Sequence, residues 1–509
     1  MAKQQESYIL MRWLFLRLLG AIHLSAFGSY AFQILALNGS HGILPTCDEL
    51  HSISPDLGWL RFWVYPTVAW VNCSDATLQG ITVAGVCLSI LVILGIATAP
   101  GLVLLAVLWL SLVTGGGEFT GFQSDGMLVE LTVLSLFLVP WQWLEPPWAV
   151  PLKWRQQTAP PMPAIWLLRI MLFRIMFVSG VEKITSGDPY WGNLTALEYH
   201  YETQPIPTPL AWYADHLPAW IHKLSALFMF GAELIAPPMI FLGRRLRIAS
   251  FIPMFALHAG IALTGNYTFL NFLLMVLCIP LLDDSLIKRI LPQKLVRSIE
   301  DSQVEARQGR VRTTCFHAAV GFMMLLAGSR LIASVFTERL LLPPFRAALD
   351  LVQPLRLADH YGLFAVMTTS RPEIVFQGSD DGIAWRSYDF KYKPGDDLKR
   401  APPVVEPHMP RLDWRLWFAA MGSVDDSPWV LSFVRRLLEG SPEMKIFFVN
   451  DPFPARPPKY IRAFVYDYHF TDWQTKNKTG DWWRRDNKRV YLPPVRLVNG
   501  ELQPPEGNM

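Results

Sequence analysis

Net charge is what this chain has least of: 45 Lys and Arg stand against 42 Asp and Glu, a balance of +3 that argues against nucleic acid as a partner. Cysteine is scarce too, five in 509 residues, and none falls in a CxxC or Cys/His pattern of the kind that holds zinc. A cleavable signal peptide is not evident, because the first apolar run, 13–37, is too long for the apolar part of such a peptide and lacks a small-residue cleavage site. Neither an internal repeat nor paired broken helices can be found, which weakens a transporter reading. No nucleophile stands beside its base, and no phosphate loop or metal set is visible. A non-enzymatic role therefore needs the fewest assumptions, and no cofactor is expected.

Apolar residues are what the chain has in plenty. They make up 51% of it, with 20 Trp and a mean hydropathy of +0.25, and they cluster before residue 340. The fold class this implies is a multi-pass α-helical membrane domain (1–340) followed by a mainly antiparallel β, sandwich-like soluble domain with one or two helices (341–509). Apolar runs at 13–37, 79–97, 101–114, 126–144, 164–184, 220–242, 248–264, 268–283 and 314–336 suggest about nine spans. The third and eighth are short for a bilayer. Lys and Arg in short loops mark the cytoplasmic side. Arg244, Arg245 and Arg247 lie in one such loop, and Lys288, Lys294, Arg297, Arg307 and Arg310 in another. Lys153 and Arg155 mark a third, and Lys3 and Arg12 put the amino terminus on the same side. The loops 38–78, 114–125 and 185–219, and everything after 336, then fall outside.

The stretch 181–222 interrupts the apolar series with Lys183, Glu198, His200, Glu202 and His216 among aromatics and prolines. Irregular backbone cannot face lipid, so it reads as a folded connection between two spans. In the tail, 373–377 and 383–392 read as strands joined by the turn GSDDG at 378–382, and KPGD at 393–396 closes the second. Residues 460–468 alternate with period 2, a strand with distinct faces. Between them Trp429, Phe433, Val434 and Leu437 recur at helical spacing, with Ser427 as a cap and Gly440 as a stop. Pro-rich pieces at 402–410, 452–458 and 493–505 read as linkers or extended arms.

Several of these pieces resemble the lipase maturation factor family: LRLLGAIHLSAFGSYAFQILALNGSHGILP at 16–45, HYETQPIPTPLAWY at 200–213 and YTFLNFLLMVLCIPLLDD at 267–284. In the tail the likeness continues through YGLFAVMTTSRPEIVFQGSDDGIAWRSYDFKYKPGD, HMPRLDWRLWFAAMG and PPKYIRAFVYDYHF. The resemblance implies an endoplasmic-reticulum membrane protein with a lumenal carboxy-terminal domain, chaperone-like, needed for homodimeric lipases to fold and assemble. No carboxy-terminal retrieval signal is seen. In a bacterium the same face would be periplasmic, with the membrane that of the inner envelope.

Candidate residues follow. Lys183, at the outer end of the fifth span beside Glu182, is a usable base if desolvated, or an interfacial cation that pairs with an acid. SGVEKIT is also distantly similar to the segment carrying a catalytic lysine in vitamin K-dependent carboxylases, the alternative reading, with His200 or Glu202 nearby. His200, Glu202 and His216 lack a trusted metal spacing. Arg174, Glu130 and Glu233 fall within the hydrocarbon, where each charge costs at least about 2.5 kcal/mol, so Arg174 is expected to pair with Glu233. Tyr201, Trp212, Tyr213 and Trp220 are candidates for a surface that meets client enzymes, alongside the bilayer itself as partner. Asp380, Asp381, Asp413 and Trp414 read as turn and cap residues. Cys47 and Cys73 share one outer loop, as a disulfide or as two thiols. Cys87, Cys278 and Cys315 read as packing residues. Sequons at Asn72 and Asn193 are predicted outside, as is Asn477; Asn38 and Asn266 lie close to the membrane.

Overall fold

The computed structural model describes residues 6–146, 157–304 and 310–505; Lys3, Lys153, Arg155 and Arg307 lie outside them. Among the described residues nine apolar helices form the first part: α1 (Ile9–Ala31), α2 (Asp75–Leu94), α3 (Thr98–Gly115), α4 (Gln123–Ser135), α5 (Met162–Thr185), α6 (Ala219–Met239), α7 (Gly243–Thr264), α8 (Leu270–Cys278) and α9 (Arg310–Val335). Among the described residues seven are long and apolar enough to cross a membrane; α4 and α8 are not. At 13 residues α4 reaches only about 20 Å. The chain around it makes up the length. Residue Thr120 bonds Val113 at the end of α3, while Ala97 and Glu145 bond Trp143 and Gly95 at its beginning. The stretch 120–145 therefore runs the whole of α3 in reverse. The α8 segment does the same along α7, starting at the Pro207 to Gly265 bridge and ending where Arg247 Nε donates to Leu281 O at 3.0 Å.

These short helices are tolerated because they are inside. Buried residues run from Ser124 to Thr132 of α4 without a break, so protein rather than lipid satisfies the backbone beyond its end. The central α5 is 72% buried over its apolar window, against 17% for α9, which lies on the periphery. At the far end, Asp284 accepts from the backbone N–H of Ile9 at 2.8 Å and Met11 at 2.9 Å, capping α1 from 275 residues away.

The bundle has two unlike ends. One holds Ser7, Glu145, Asp283 and the RRLR run, where Arg244 and Arg247 bond Asp283, Glu6 and Leu281. The other carries the loops 32–74, 116–122 and 185–218 and is covered by the tail.

After α10 (Pro343–Val352), the tail builds one five-stranded antiparallel sheet in the order β2-β1-β3-β4-β5. Its strands are β1 (Pro372–Ser379), β2 (Arg386–Ser387), β3 (Tyr460–Phe470), β4 (Trp483–Val498) and β5 (Glu501–Gln503), and its helices are α11 (Arg411–Ala420) and α12 (Trp429–Glu439). The β1 to β3 register pairs Val375 with Phe464, and Ile461, Ala463 and Val465 point inward, the face that their alternation predicts. Helices cover this sheet where a second sheet would lie in a sandwich: Phe433 of α12 stacks edge-on against Phe376 of β1 at 5.2 Å.

Four local expectations need correction. The strand expected over 383–392 shrinks to Arg386–Ser387, because the Asp381 carboxylate accepts from the N–H groups of Ile383 and Ala384, both at 2.8 Å, and holds the chain in the turn. RLDW is helix rather than turn and cap: Arg411, Asp413 and Trp414 are all buried in α11. Ser427 does not cap α12, which starts after Pro428, though Gly440, at φ 72°, ends it as read. The Pro-rich 493–505 is sheet: Pro493 and Pro494 lie in β4, in the register shift between the Ala463–Leu492 and Ile461–Val495 pairs, which spares the ladder their missing N–H.

Candidate functional site

The connection after α5 folds into short helices, among them Leu197–Thr203 and Pro209–Asp215, the latter with Pro at its first position where no N–H is needed. Its contacts are with the tail. The Glu202 carboxylate accepts from the Phe470 N–H at 2.8 Å and bonds His469 Nδ1 at 2.9 Å, which raises the His469 pKa above the usual imidazole range. Trp212 Nε1 donates to Thr471 O at 3.0 Å, and Trp417 Nε1 to Thr203 O at 2.9 Å. The Arg371 guanidinium, fully buried, donates to the carbonyls of Glu202 (2.8 Å), Gln204 and Pro205 (2.9 Å) and pairs with Glu373 at 2.8 Å. Loop and sheet are thus one body, riveted through β1 and the end of β3.

Of the four aromatic candidates, the structure turns two inward, Trp212 and Tyr201. Trp212 is completely buried against Tyr468, Phe470 and Trp483, so it cements the joint and offers no surface. Tyr213 is 44% exposed and meets Trp473, itself 48% exposed, at 5.7 Å; Trp482 lies beside them with Lys476 Nζ over its ring at 3.0 Å. This aromatic patch spans loop and tail. Trp220 is exposed at the start of α6, while Tyr201 is half-buried and turns inward.

Tyr201 lines a cavity of 380 Å³ between α5, α6, α7 and the linker 356–368, together with Lys183, His200, Glu233, His258 and Tyr267. Lys183 Nζ donates to both oxygens of Glu233 (3.0 and 2.9 Å), to Leu363 O (2.8 Å) and to Ser179 O (3.3 Å). An ammonium has three donors, and all are engaged, which makes this a held cation and not a free base. His200, half-buried with Nε2 at 3.4 Å from the Tyr267 hydroxyl, is pushed down to about 4 by desolvation and by Lys183, so it is neutral at physiological pH.

The expected Arg174 to Glu233 pair does not form. Arg174 Nη2 donates to both oxygens of Glu130 on α4 at 2.6 Å, and Tyr361 of the linker donates to the same carboxylate at 2.9 Å. Glu233 belongs to Lys183 because a π-turn at Gly231–Ile235 carries it towards α5, and Gly180 lets α6 come close enough. A third buried pair went unread in the sequence: Arg411 of α11 binds Asp125 of α4 through two bonds of 2.8 Å. These ties lock the tail and linker into the bundle. The Pro-rich 402–410 is docked as well, with Asn266 Oδ1 accepting from the Val405 N–H at 2.7 Å.

The structure joins Cys47 and Cys73 in a disulfide. Asn72, Asn193 and Asn477 are exposed, whereas Asn38 and Asn266 are buried. Among the described residues no cluster of His, Cys, Asp or Glu is placed to hold a metal; His216 stacks on Trp212, and Glu202 is used by the sheet.

Comparison with known proteins places two family models on this chain: the lipase maturation factor transmembrane domain matches residues 10–289, and the lipase maturation factor C-terminal domain matches 357–493. Lipase maturation factor 2 of Homo sapiens is 35% identical, with 97% of this chain and 84% of that protein covered. The Xenopus laevis protein of the same name is 34% identical over 96% and 82%. Lipase maturation factor 1 of Bos taurus is 30% identical over 96% and 89%. No solved structure matches significantly.

Proposed function

Because this chain belongs to the lipase maturation factor family, we propose that it is a membrane-embedded factor that promotes the folding and assembly of secreted lipases, with the aromatic patch as its client-facing surface. The observation that carries the surface assignment is the joint itself. Glu202, Trp212 and Arg371 bind the connection 185–219 to the sheet, so Tyr213 and Trp473 are presented by a rigid platform. Large rings held in place lose little entropy on contact, which is why such residues dominate interfaces. An incompletely folded lipase would offer the apolar surface they need.

We place this platform, with the whole tail, on the non-cytoplasmic side. Support comes from charge: Arg244, Arg245, Arg247 and Lys288 lie at the opposite end of the bundle, where cytoplasmic loops are expected to be basic. The reversed paths through α4 and α8 support nine passes, an odd number that separates the termini. In a eukaryote the outer compartment is the endoplasmic-reticulum lumen.

The test uses cells lacking the protein, complemented with the wild type or with the double variant Tyr213→Ala, Trp473→Ala. About half of each ring is exposed and the rest packs on Trp212, so the melting temperature of the variant is compared with that of the wild type. The variant should give secreted lipase whose activity per molecule falls about tenfold, the effect of losing roughly 1.4 kcal/mol at a contact surface, with lipase synthesis unchanged. Full lipase activity in the double variant would overturn the surface assignment. Full activity in cells lacking the protein altogether would overturn the client class.

A further inference from the structure

The 380 Å³ cavity is large enough for a small molecule, sites for which run from about 300 to 1,000 Å³, and nothing in the client reading uses it. Its mouth is built by Ser225 and Phe228 of α6 and by Ala256 and Gly260 of α7, all at least partly exposed. The flank around the mouth is apolar and exposed: Leu224 55%, Leu227 52% and Leu263 61%. On helices that cross a bilayer, such a flank faces hydrocarbon. The two helices touch through Ala236–Met239 near their basic end, and the gap lies towards the tail. A ligand would therefore enter sideways from the lipid, not from water.

The floor says what head group it would carry. Lys183 and Glu233 cancel each other, and His200 is neutral, so no charge is available to balance an ionised head. Two nitrogens are left over. Nδ2 of Asn271 and Nδ1 of His258, on residues 2% and 4% exposed that line the cavity, have no partner within 3.5 Å, and only the longer approaches of Asn271 to Glu406 and to His258 serve them. A buried polar group without a partner costs about 1 to 3 kcal/mol; a bound acceptor would recover it at Asn271 Nδ2, and a bound hydroxyl donor at His258 Nδ1, since Nε2 of that ring faces Met176 Sδ at 3.2 Å.

We infer that this cavity is a binding site for a neutral, single-chain acyl lipid whose ester carbonyl and hydroxyl groups meet Asn271 and His258 while its chain leaves between α6 and α7. The apolar walls suit one chain, and the neutral floor discriminates against the ionised carboxylate of a fatty acid of the same length. The inference is independent of the client surface, because it is read on purified protein with no lipase present.

Gly260 supplies a clean test. A Cβ built there meets nothing within 4 Å, and Leu is the better helix former, so Gly260→Leu sets a bulky side chain at the mouth from a position with open space. The probe is a photoactivatable monoacylglycerol applied to the purified full chain in detergent, with labelled peptides mapped by mass spectrometry. The wild type should be labelled within 219–264, and unlabelled monoacylglycerol should compete at least tenfold better than the fatty acid anion. Gly260→Leu should reduce labelling about tenfold at an unchanged melting temperature, and Asn271→Leu should weaken competition by a similar factor. If Gly260→Leu melts early, Ser225→Leu at the facing wall serves in its place. Labelling that ignores both filling variants, or a fatty acid that competes as well as the ester, would overturn the inference.

Discussion

Single buried charges decide how this protein holds together. Arg371 binds three carbonyls of the connection and Glu373 of β1, and Arg411 grips Asp125 across the boundary between tail and bundle. Arginine stays charged and presents five donors in a fixed fork, so it can stitch irregular backbone that no ladder serves. Removing one partner of such a pair typically costs about 3 to 5 kcal/mol. Glu406 is different: it accepts the Tyr267 N–H at 2.7 Å and is approached by the Asn271 amide, among the described residues it forms no ion pair, and burial pushes its carboxyl up to about 8. An acid raised in the folded state above its unfolded value stabilises the fold below the unfolded pKa, and that stability is lost as pH rises through the folded one. Between pH 5 and 8 the protein should lose about 3 kcal/mol through this group. Glu406→Gln, which keeps the acceptor oxygen, should flatten that slope in thermal unfolding at the two pH values. Equal slopes would mean that another group is responsible.

At the scale of elements, the packing of α5 on α6 turns on one glycine and one irregular turn. A Cβ at Gly180 would lie 2.7 Å from Leu234 Cδ2 and 3.0 Å from Glu233 Cβ, too close for either to stay. Gly180→Ala should therefore destabilise the protein by about 1 to 3 kcal/mol and loosen the Lys183 to Glu233 pair, measured by denaturation in mixed detergent. An unchanged midpoint would show that α6 is free to shift. Helix periods, the strand over 460–468, which runs on to Phe470, and the Gly440 stop were legible in the sequence, because period and turn chemistry are local. The π-turn was not. It adds one residue to a helical turn without any change in composition, and Glu233, which sits in it, pairs with Lys183 and not with Arg174.

The whole molecule is a bundle closed at one end by its own tail. Buried contacts from Ser29 and Gln33 to Met409, from Asn266 to Val405 and from Lys183 to Leu363 leave no slack between the two. The orientation we propose predicts opposite labelling of two single cysteines, Arg245→Cys and Asn477→Cys, in an otherwise cysteine-free chain. An impermeant maleimide on sealed, right-side-out vesicles of the organelle should reach the first, on the cytosolic side, and the second only after lysis. Labelling of both before lysis would refute the arrangement.

The sequence by itself determined the class of molecule: apolar runs of span length, a polar aromatic connection and a strand-forming tail are each written in consecutive residues, and long family-like segments carry the resemblance. It also named Glu130, Arg174 and Glu233 as charges that must find partners, and left Lys183 as a base or a paired cation. Which partners they find, and that Trp212 is cement while Tyr213 is surface, only the tertiary structure decided. The reason is physical. Desolvation forces a buried charge to pair but does not choose its mate; that choice depends on which helix faces meet and on side chains 44, 50 or 286 residues away in the chain.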